Sequence, residues 1–237
     1  LLAYQTAYLK ANFSAEYMAA VLQRNKNDIK KITYFMDECK RQDIQVLGPD
    51  INESEFKFIV NNAGQIRFGL GGLKGVGEGA VNAIVSERKV NGPFNSIFDL
   101  AKRIDLRAAN KKCLESMAMS GAFDCFRGVY RSQYFYMEND QDSSFLDKAI
   151  KFGGKFQNDR HSDQMSMFSI DPIEVKDPEI PKCEPWSQLE MLAKEKEITG
   201  MYLSGHPLDN YSIEIENFCN CSLNELNLEI DKFKNRE

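Results

Sequence analysis

Six glycines fall within the eleven residues Gly69-Leu-Gly-Gly-Leu-Lys-Gly-Val-Gly-Glu-Gly79, directly before an apolar helical pattern at Ala80, Val81, Ile84 and Val85. Glycine has no side chain to bury, so such a loop reads as non-core. Its use is conformational: glycine takes positive φ and lets another molecule come close to the backbone. At a helix start, unpaired N–H groups and the helix dipole attract an anion. The chemistry this pattern suits is phosphate binding. A P-loop would need Lys-Ser or Lys-Thr after its glycines, and none follows; a dinucleotide fingerprint counted from Gly69 meets Lys74 at its sixth position. What fits is a short helix, the hairpin Leu73-Lys74-Gly75-Val76-Gly77, and a second helix. Leu73 and Val76 would plug the two-helix core. The N–H groups around Gly75 and Gly77 would face a DNA phosphate, with Lys74 adding charge. Such contacts position a protein on DNA without reading bases. The alternative is a glycine-rich turn that binds nothing.

Other residues with chemical potential carry less. Asp140-Gln-Asp142 has the spacing that holds magnesium in nucleotidyl transfer, but it sits in a polar stretch without an adjoining strand and reads as a solvated loop. His206, between Gly205 and Pro207, lacks an acidic or cysteine neighbour in its motif and reads as a turn or cap residue. Cys39, Cys113, Cys125, Cys183, Cys219 and Cys221 contain no Cys-x-x-Cys pair, so no metal site is expected. No nucleophile elbow, triad or carboxylate cluster appears, and no catalytic residue is assigned.

The 237 residues carry a net charge of −5. An acidic chain is a poor general coat for nucleic acid, so any DNA contact must come from a local surface. Scattered thiols suit a reducing cytoplasm, no apolar run is long enough to span a membrane, and no signal peptide is evident. The opening Leu1-Leu2-Ala3-Tyr4-Gln5 reads as mid-helix, and the chain is expected to be a piece of a longer polypeptide.

The elements that must position the glycine run are mainly helical with one small β-hairpin. Residues 1–11 read as the end of a helix. Ser14 is the expected N-cap of a second with Tyr17, Met18, Val21 and Leu22, and Asp28 caps a third carrying Ile29, Ile32, Phe35, Met36 and Cys39. Gln45–Leu47 is a short strand. Phe56–Val60 and Gln65–Phe68, joined by Asn-Asn-Ala-Gly, form a hairpin that leads into the glycines. Beyond them, Ser96 caps a helix with Ile97, Leu100 and Ile104, and Asp105-Leu106-Arg107 turns into another with Cys113, Leu114 and Met117. This pair has the length of a second helix-hairpin-helix; its turn lacks glycines, so it is expected to pack against the first rather than hold phosphate. Arg127–Lys155 reads as helical with a break near 139–143. Residues 157–185 are rich in Pro, Asp and Ser and read as a linker, with one apolar island, Met165-Ser166-Met167-Phe168. Those side chains either fold back onto the chain's own helices or seek a partner's pocket. A charged helix then runs from about Trp186 to Gly200.

Six blocks coincide in order: Ala7–Ala11 with Glu16–Ala20, Leu47–Asn52, Phe68–Gly77, Gly121–Asp124, Gln164–Phe168, and Glu195–Gly200 with Tyr202–Leu208. Together they resemble the alpha-subunit family of bacterial DNA polymerase III, over essentially the whole chain. The resemblance implies the end of a fingers domain at 1–48, a helix-hairpin-helix domain with its β-hairpin at 49–157, a linker with a clamp-binding motif at 158–185, and a C-terminal helical segment at 186–237 leading to a next domain. It implies that the hairpin, Leu73, Lys74, Gly75, Val76, Gly77, Glu78 and Gly79, meets double-stranded DNA. It further implies that Gln164, Met165, Ser166, Met167 and Phe168 match the pentapeptide that binds the sliding clamp. The family's catalytic aspartates and the magnesium they hold would lie upstream, leaving this stretch without cofactor or nucleotidyltransferase activity of its own. Other subunits of the holoenzyme are the remaining implied partners, in the cytoplasm, with no membrane contact. The competing reading is a scaffold that joins fingers to later domains without touching DNA.

Overall fold

The computed structural model describes residues 1–26, 28–139, 142–163, 177–219 and 221. It divides into two units, Leu1–Ser204 and Gly205–Glu237. The first opens with helices α1 (Leu2–Asn12), α2 (Ser14–Asn25) and α3 (Ile29–Arg41). Asp28 caps α3 as its sequence suggests, its carboxylate accepting from the Lys31 N–H at 3.2 Å. Ser14 departs from expectation. The N-cap of α2 is Phe13, and Ser14 is the first helical residue. Its hydroxyl donates back to the Lys10 carbonyl at 2.5 Å and also meets Gln42 Oε1 at 2.9 Å. With one residue between α1 and α2, serine serves the preceding helix. Met18, Leu22, Ile32 and Cys39 bury the faces that α2 and α3 share with the core.

A three-stranded sheet follows, β1 (Val46–Leu47), β2 (Ile59–Val60) and β3 (Ile66–Arg67), in the order β1-β3-β2. β2 and β3 form the expected hairpin, with Ile59 opposite Arg67. β1 adds in parallel, with Val46 opposite Ile66. Asn61 closes the turn, its side-chain oxygen accepting from the N–H groups of Ala63 and Gln65. Between β1 and β2, buried Ser54 accepts from the Asp50 N–H at 2.9 Å and donates to the Phe68 carbonyl at 2.7 Å, tying the Gly-Pro-Asp loop to the end of β3.

Helix α4 (Glu78–Asn91) leaves the glycine run. Ala80, Val81 and Ile84 are its buried positions. Its outer end is held by Arg88, whose guanidinium donates to the Ile51 and Glu53 carbonyls at 2.8 and 3.0 Å. Asn52 pairs reciprocally with the Phe94 backbone. Helices α5 (Ile97–Arg103) and α6 (Lys111–Ser120) are capped by Ser96 and Asn110, and α6 stops at Gly121, where φ is +86°. The short α7 (Arg131–Tyr134) and the long α8 (Phe145–Asp163) come next. α8 packs along α5, with Phe98 set edge-on against Phe145 and Phe152, and Gln157 Nε2 donates to the α5 carbonyls of Ala101 and Ile104 at 2.9 and 2.8 Å. The helix therefore continues past residue 157, to Asp163.

From 177 to 187 the backbone is irregular but attached. Asp177 pairs with Lys102, the Pro181 carbonyl accepts from Gln133, and Trp186 stacks on Phe135. Helix α9 (Gln188–Thr199) begins with a Ser187–Glu190 capping box and ends at Gly200 with φ +82°. The second unit holds α10 (Ser212–Phe218) after one 3₁₀ turn. There His206 is a turn residue, as its sequence suggests: its N–H donates to Asp209 and its Nδ1 accepts from the Leu208 N–H at 3.2 Å.

Candidate nucleic-acid interface

The six glycines divide into two sets with different physical reasons. Gly69, Gly71 and Gly72 are packing glycines. A Cβ on Gly69 would strike the Lys57 backbone. One on Gly71 would lie 2.5 Å from the Phe56 ring, and one on Gly72 would lie 2.8 Å from the Phe68 ring. This half of the run lies flush against the hairpin as one 3₁₀ turn (Leu70–Gly72), and Leu70 is fully buried. The expectation that the loop lies outside the core is therefore corrected for residues 68–73. Missing side chains let the backbone itself join the core. Lys26 completes the seat, donating to the Gly71 carbonyl at 3.1 Å.

Gly75, Gly77 and Gly79 form the second set, and all three are exposed. Gly75 has φ +79°, the left-handed conformation that reverses the chain. Gly77 does not need to be glycine for its backbone: φ is −86° and ψ 157°. A Cβ on Gly77 or Gly79 would meet nothing within 4 Å. Leu73 and Val76 point inward as expected, 3% and 8% exposed. Gly77 is the N-cap of α4 and supplies no side-chain cap; the first bond of the helix runs from the Val81 N–H to the Gly77 carbonyl at 3.2 Å. Among the described residues the N–H groups of Gly75, Gly77, Glu78 and Gly79 have no partner. Four donors at and just before an uncapped helix start, beside exposed Lys74 with no ion pair among the described residues, are an arrangement whose chemistry suits an anion.

The hairpin is braced from behind. The Lys74 N–H donates to the Ile198 carbonyl of α9 at 3.1 Å, and Val76 N–H bonds Leu73 at 3.3 Å. The end of α9 is itself fixed. Thr199 Oγ1 donates to the Glu195 and Met201 carbonyls at 2.9 and 2.8 Å, and the Glu195 carboxylate accepts from Ser204 Oγ at 2.7 Å. Glu195 is 1% exposed, and burial raises its carboxyl above the ordinary value against the Ser204 hydrogen bonds and the Arg131 charge. On the other side, a Cβ on Gly75 would lie 3.5 Å from Ser116 Oγ and 3.8 Å from Lys112 Cε, both on α6. Ile198, Lys112 and Ser116 have no local signal in the sequence, because tertiary folding brings them to the hairpin from 37 or more residues away.

The second helical hairpin differs in kind. Asp105 Oδ1 accepts from the Arg107 N–H, the Asp105 carbonyl from Ala108 and Ala109, and Asn110 Oδ1 from Cys113. Its turn spends its donors internally. α6 abuts the Gly75 hairpin, as expected of a pair packed against the first, while α5 packs on α8.

A helix-hairpin-helix motif model matches residues 43–134. The DNA polymerase III subunit alpha of Escherichia coli K12 is 36% identical over 221 residues, covering 92% of this chain and 18% of that protein. Those of Vibrio cholerae and Pseudomonas aeruginosa are each 34% identical, covering 95% of this chain and 19% and 20% of their own lengths. The chain is homologous to one stretch of the DNA polymerase III alpha subunit. It spans about a fifth of the length of these relatives.

The other expected sites fare differently. Gln164, Met165, Ser166, Met167 and Phe168 lie outside the described residues, as does Asp140. Asp142 accepts from Asn139 Nδ2 at 3.0 Å. No group of three or more His, Cys, Asp or Glu residues among those described is placed to hold a metal ion. The described helices include none long and apolar enough to cross a membrane.

Proposed function

We propose that this chain is a non-catalytic stretch of a replicative DNA polymerase that holds duplex DNA through the Lys74–Gly79 hairpin. One observation carries this: among the described residues, four N–H donors without a partner and a lysine ammonium without an ion pair lie at an uncapped helix start, on a hairpin braced from both sides. Gly77 and Gly79 are glycine although neither backbone angle nor internal packing requires it. Close approach by another molecule's backbone supplies the reason. The occupant is a phosphodiester of duplex DNA, bound without base readout. The parent's template-directed synthesis, with its magnesium and aspartates, resides elsewhere in the longer protein. Gln164–Phe168 bind the sliding clamp.

The test is anisotropy of a fluorescein-labelled duplex titrated with the chain and its Gly77→Val variant. Wild type binds weakly and salt-dependently, with Kd on the order of 10⁻⁴ M near physiological salt. The variant folds, because valine is unstrained at these angles and has room, yet does not bind. Equal binding by both proteins would favour the scaffold reading.

A further inference from the structure

The phosphate site has a second wall that its own hairpin does not supply. Lys112 and Ser116 sit one turn apart on the same face of α6 and border Gly75, where an added Cβ would touch Ser116 Oγ at 3.5 Å and the Lys112 chain at 3.8 Å. The two side chains are unspent. Lys112 is exposed and, among the described residues, has no ion pair or hydrogen bond. Its neighbour Lys111 is committed, to Asp147 at 2.8 Å and Glu115 at 3.7 Å. Ser116 is only 5% exposed, yet its hydroxyl has no hydrogen-bond partner among the described residues. A serine inside a helix ordinarily returns its hydroxyl to the carbonyl one turn back. Thr199 does so, and Ser116 does not. Among the described residues the fully buried side-chain atoms without a partner are Arg131 Nη1 and Tyr134 Oη, so Ser116 Oγ keeps a solvent-facing edge that a bound oxygen could take.

Resting on the hairpin reading above, we propose that α6 is part of the DNA phosphate site. Lys112 contacts a phosphate oxygen alongside Lys74, and Ser116 supplies a hydroxyl at the floor. The bound group is then held between the α4 N–H donors on one side and the α6 cation on the other. A Cβ at position 75 would make only ordinary contact with Ser116 and Lys112, so the glycine there answers to its φ of +79°.

The experiment is a salt series of duplex binding by the full chain, with Lys112→Ala, Lys112→Arg, Lys111→Ala and Ser116→Ala. Removing one phosphate contact lowers the slope of log K against log salt by about one. Lys112→Ala is expected to show that loss, Lys112→Arg to restore the slope, and Lys111→Ala to leave it unchanged. Ser116→Ala weakens binding without changing the slope, since a hydroxyl displaces no counterion. Should Lys112→Ala keep the wild-type slope while Gly77→Val abolishes binding, α6 is not part of the site and the hairpin reading stands. Absence of binding by folded wild type would remove both. Lys112 is exposed, so its variants keep the fold, and circular dichroism checks that they do.

Discussion

At the scale of single residues, two glycines on either side of Val76 separate conformational need from ligand access. Gly75→Val forces a β-branched side chain into left-handed backbone and should cost about 1–3 kcal/mol of stability, read as a lowered urea midpoint. Gly77→Val, unstrained but a poorer N-cap, should cost no more than about 1 kcal/mol and act mainly on binding. A large loss at position 77 would mean that its glycine is there for folding. Lys74→Ala should weaken duplex binding uniformly across DNA sequences, because a phosphate contact carries no base information. For the peptide at 164–168, truncation of Met167 and Phe168 together should cost about 4 kcal/mol of clamp affinity, roughly a thousandfold, at about 2 kcal/mol for each buried anchor. Gln164→Ala should cost less. Duplex binding should survive all three changes. Titration of the cognate clamp decides it, and unchanged affinity would return Met167 and Phe168 to the chain's own core. The residue pattern showed where the N–H donors would be. Lys112 and Ser116 were invisible in it, because nothing local marks a lysine as unpaired or a serine as facing a loop some forty positions earlier.

Elements are where capping chemistry made the sequence most readable. Asp28 and Ser96 each start a helix, and Gly121 and Gly200 each end one in left-handed conformation. What stayed hidden needed long-range knowledge. β1 joins β3 in parallel, a pairing no turn encodes, and Gly69, Gly71 and Gly72 answer to rings of Phe56 and Phe68. Proline and aspartate after residue 157 suggested a linker, yet α8 runs on to Asp163 because Gln157 and its neighbours still have α5 to pack against. Helix α9 now acquires a role: its Ile198 carbonyl braces Lys74. Ser187→Ala removes its capping box and should cost about 1 kcal/mol. Glu195 adds a pH dependence. Its folded-state carboxyl is raised above 4.5, first by burial, so the native state holds this proton more tightly than the unfolded chain. The stability it contributes is fully present below pH 4.5 and is lost as pH rises through the raised value. The stability difference between wild type and Glu195→Gln should therefore fall as pH rises from below 4.5. A difference that rises or stays flat over that range would contradict the assignment.

At the scale of the whole molecule, an acidic chain with a net charge of −5 carries, at the Gly75–Gly79 hairpin, a small set of donors suited to an anion. That combination favours weak, position-giving contact over tight coating. On the proposed reading the hold on DNA is shared with a clamp, and a second tether turns a weak site into an effectively intramolecular one. The chain should show no primer extension, and a radiolabel incorporation assay with purified protein checks this. The central claim is that the free N–H groups of the hairpin are what duplex DNA touches. Amide proton–nitrogen correlation NMR during titration with a short duplex reads those groups one by one. The account predicts that the Gly75, Gly77, Glu78 and Gly79 resonances move first and most, and that they return as salt is raised. Duplex binding that shifts other amides while leaving these four in place would contradict it.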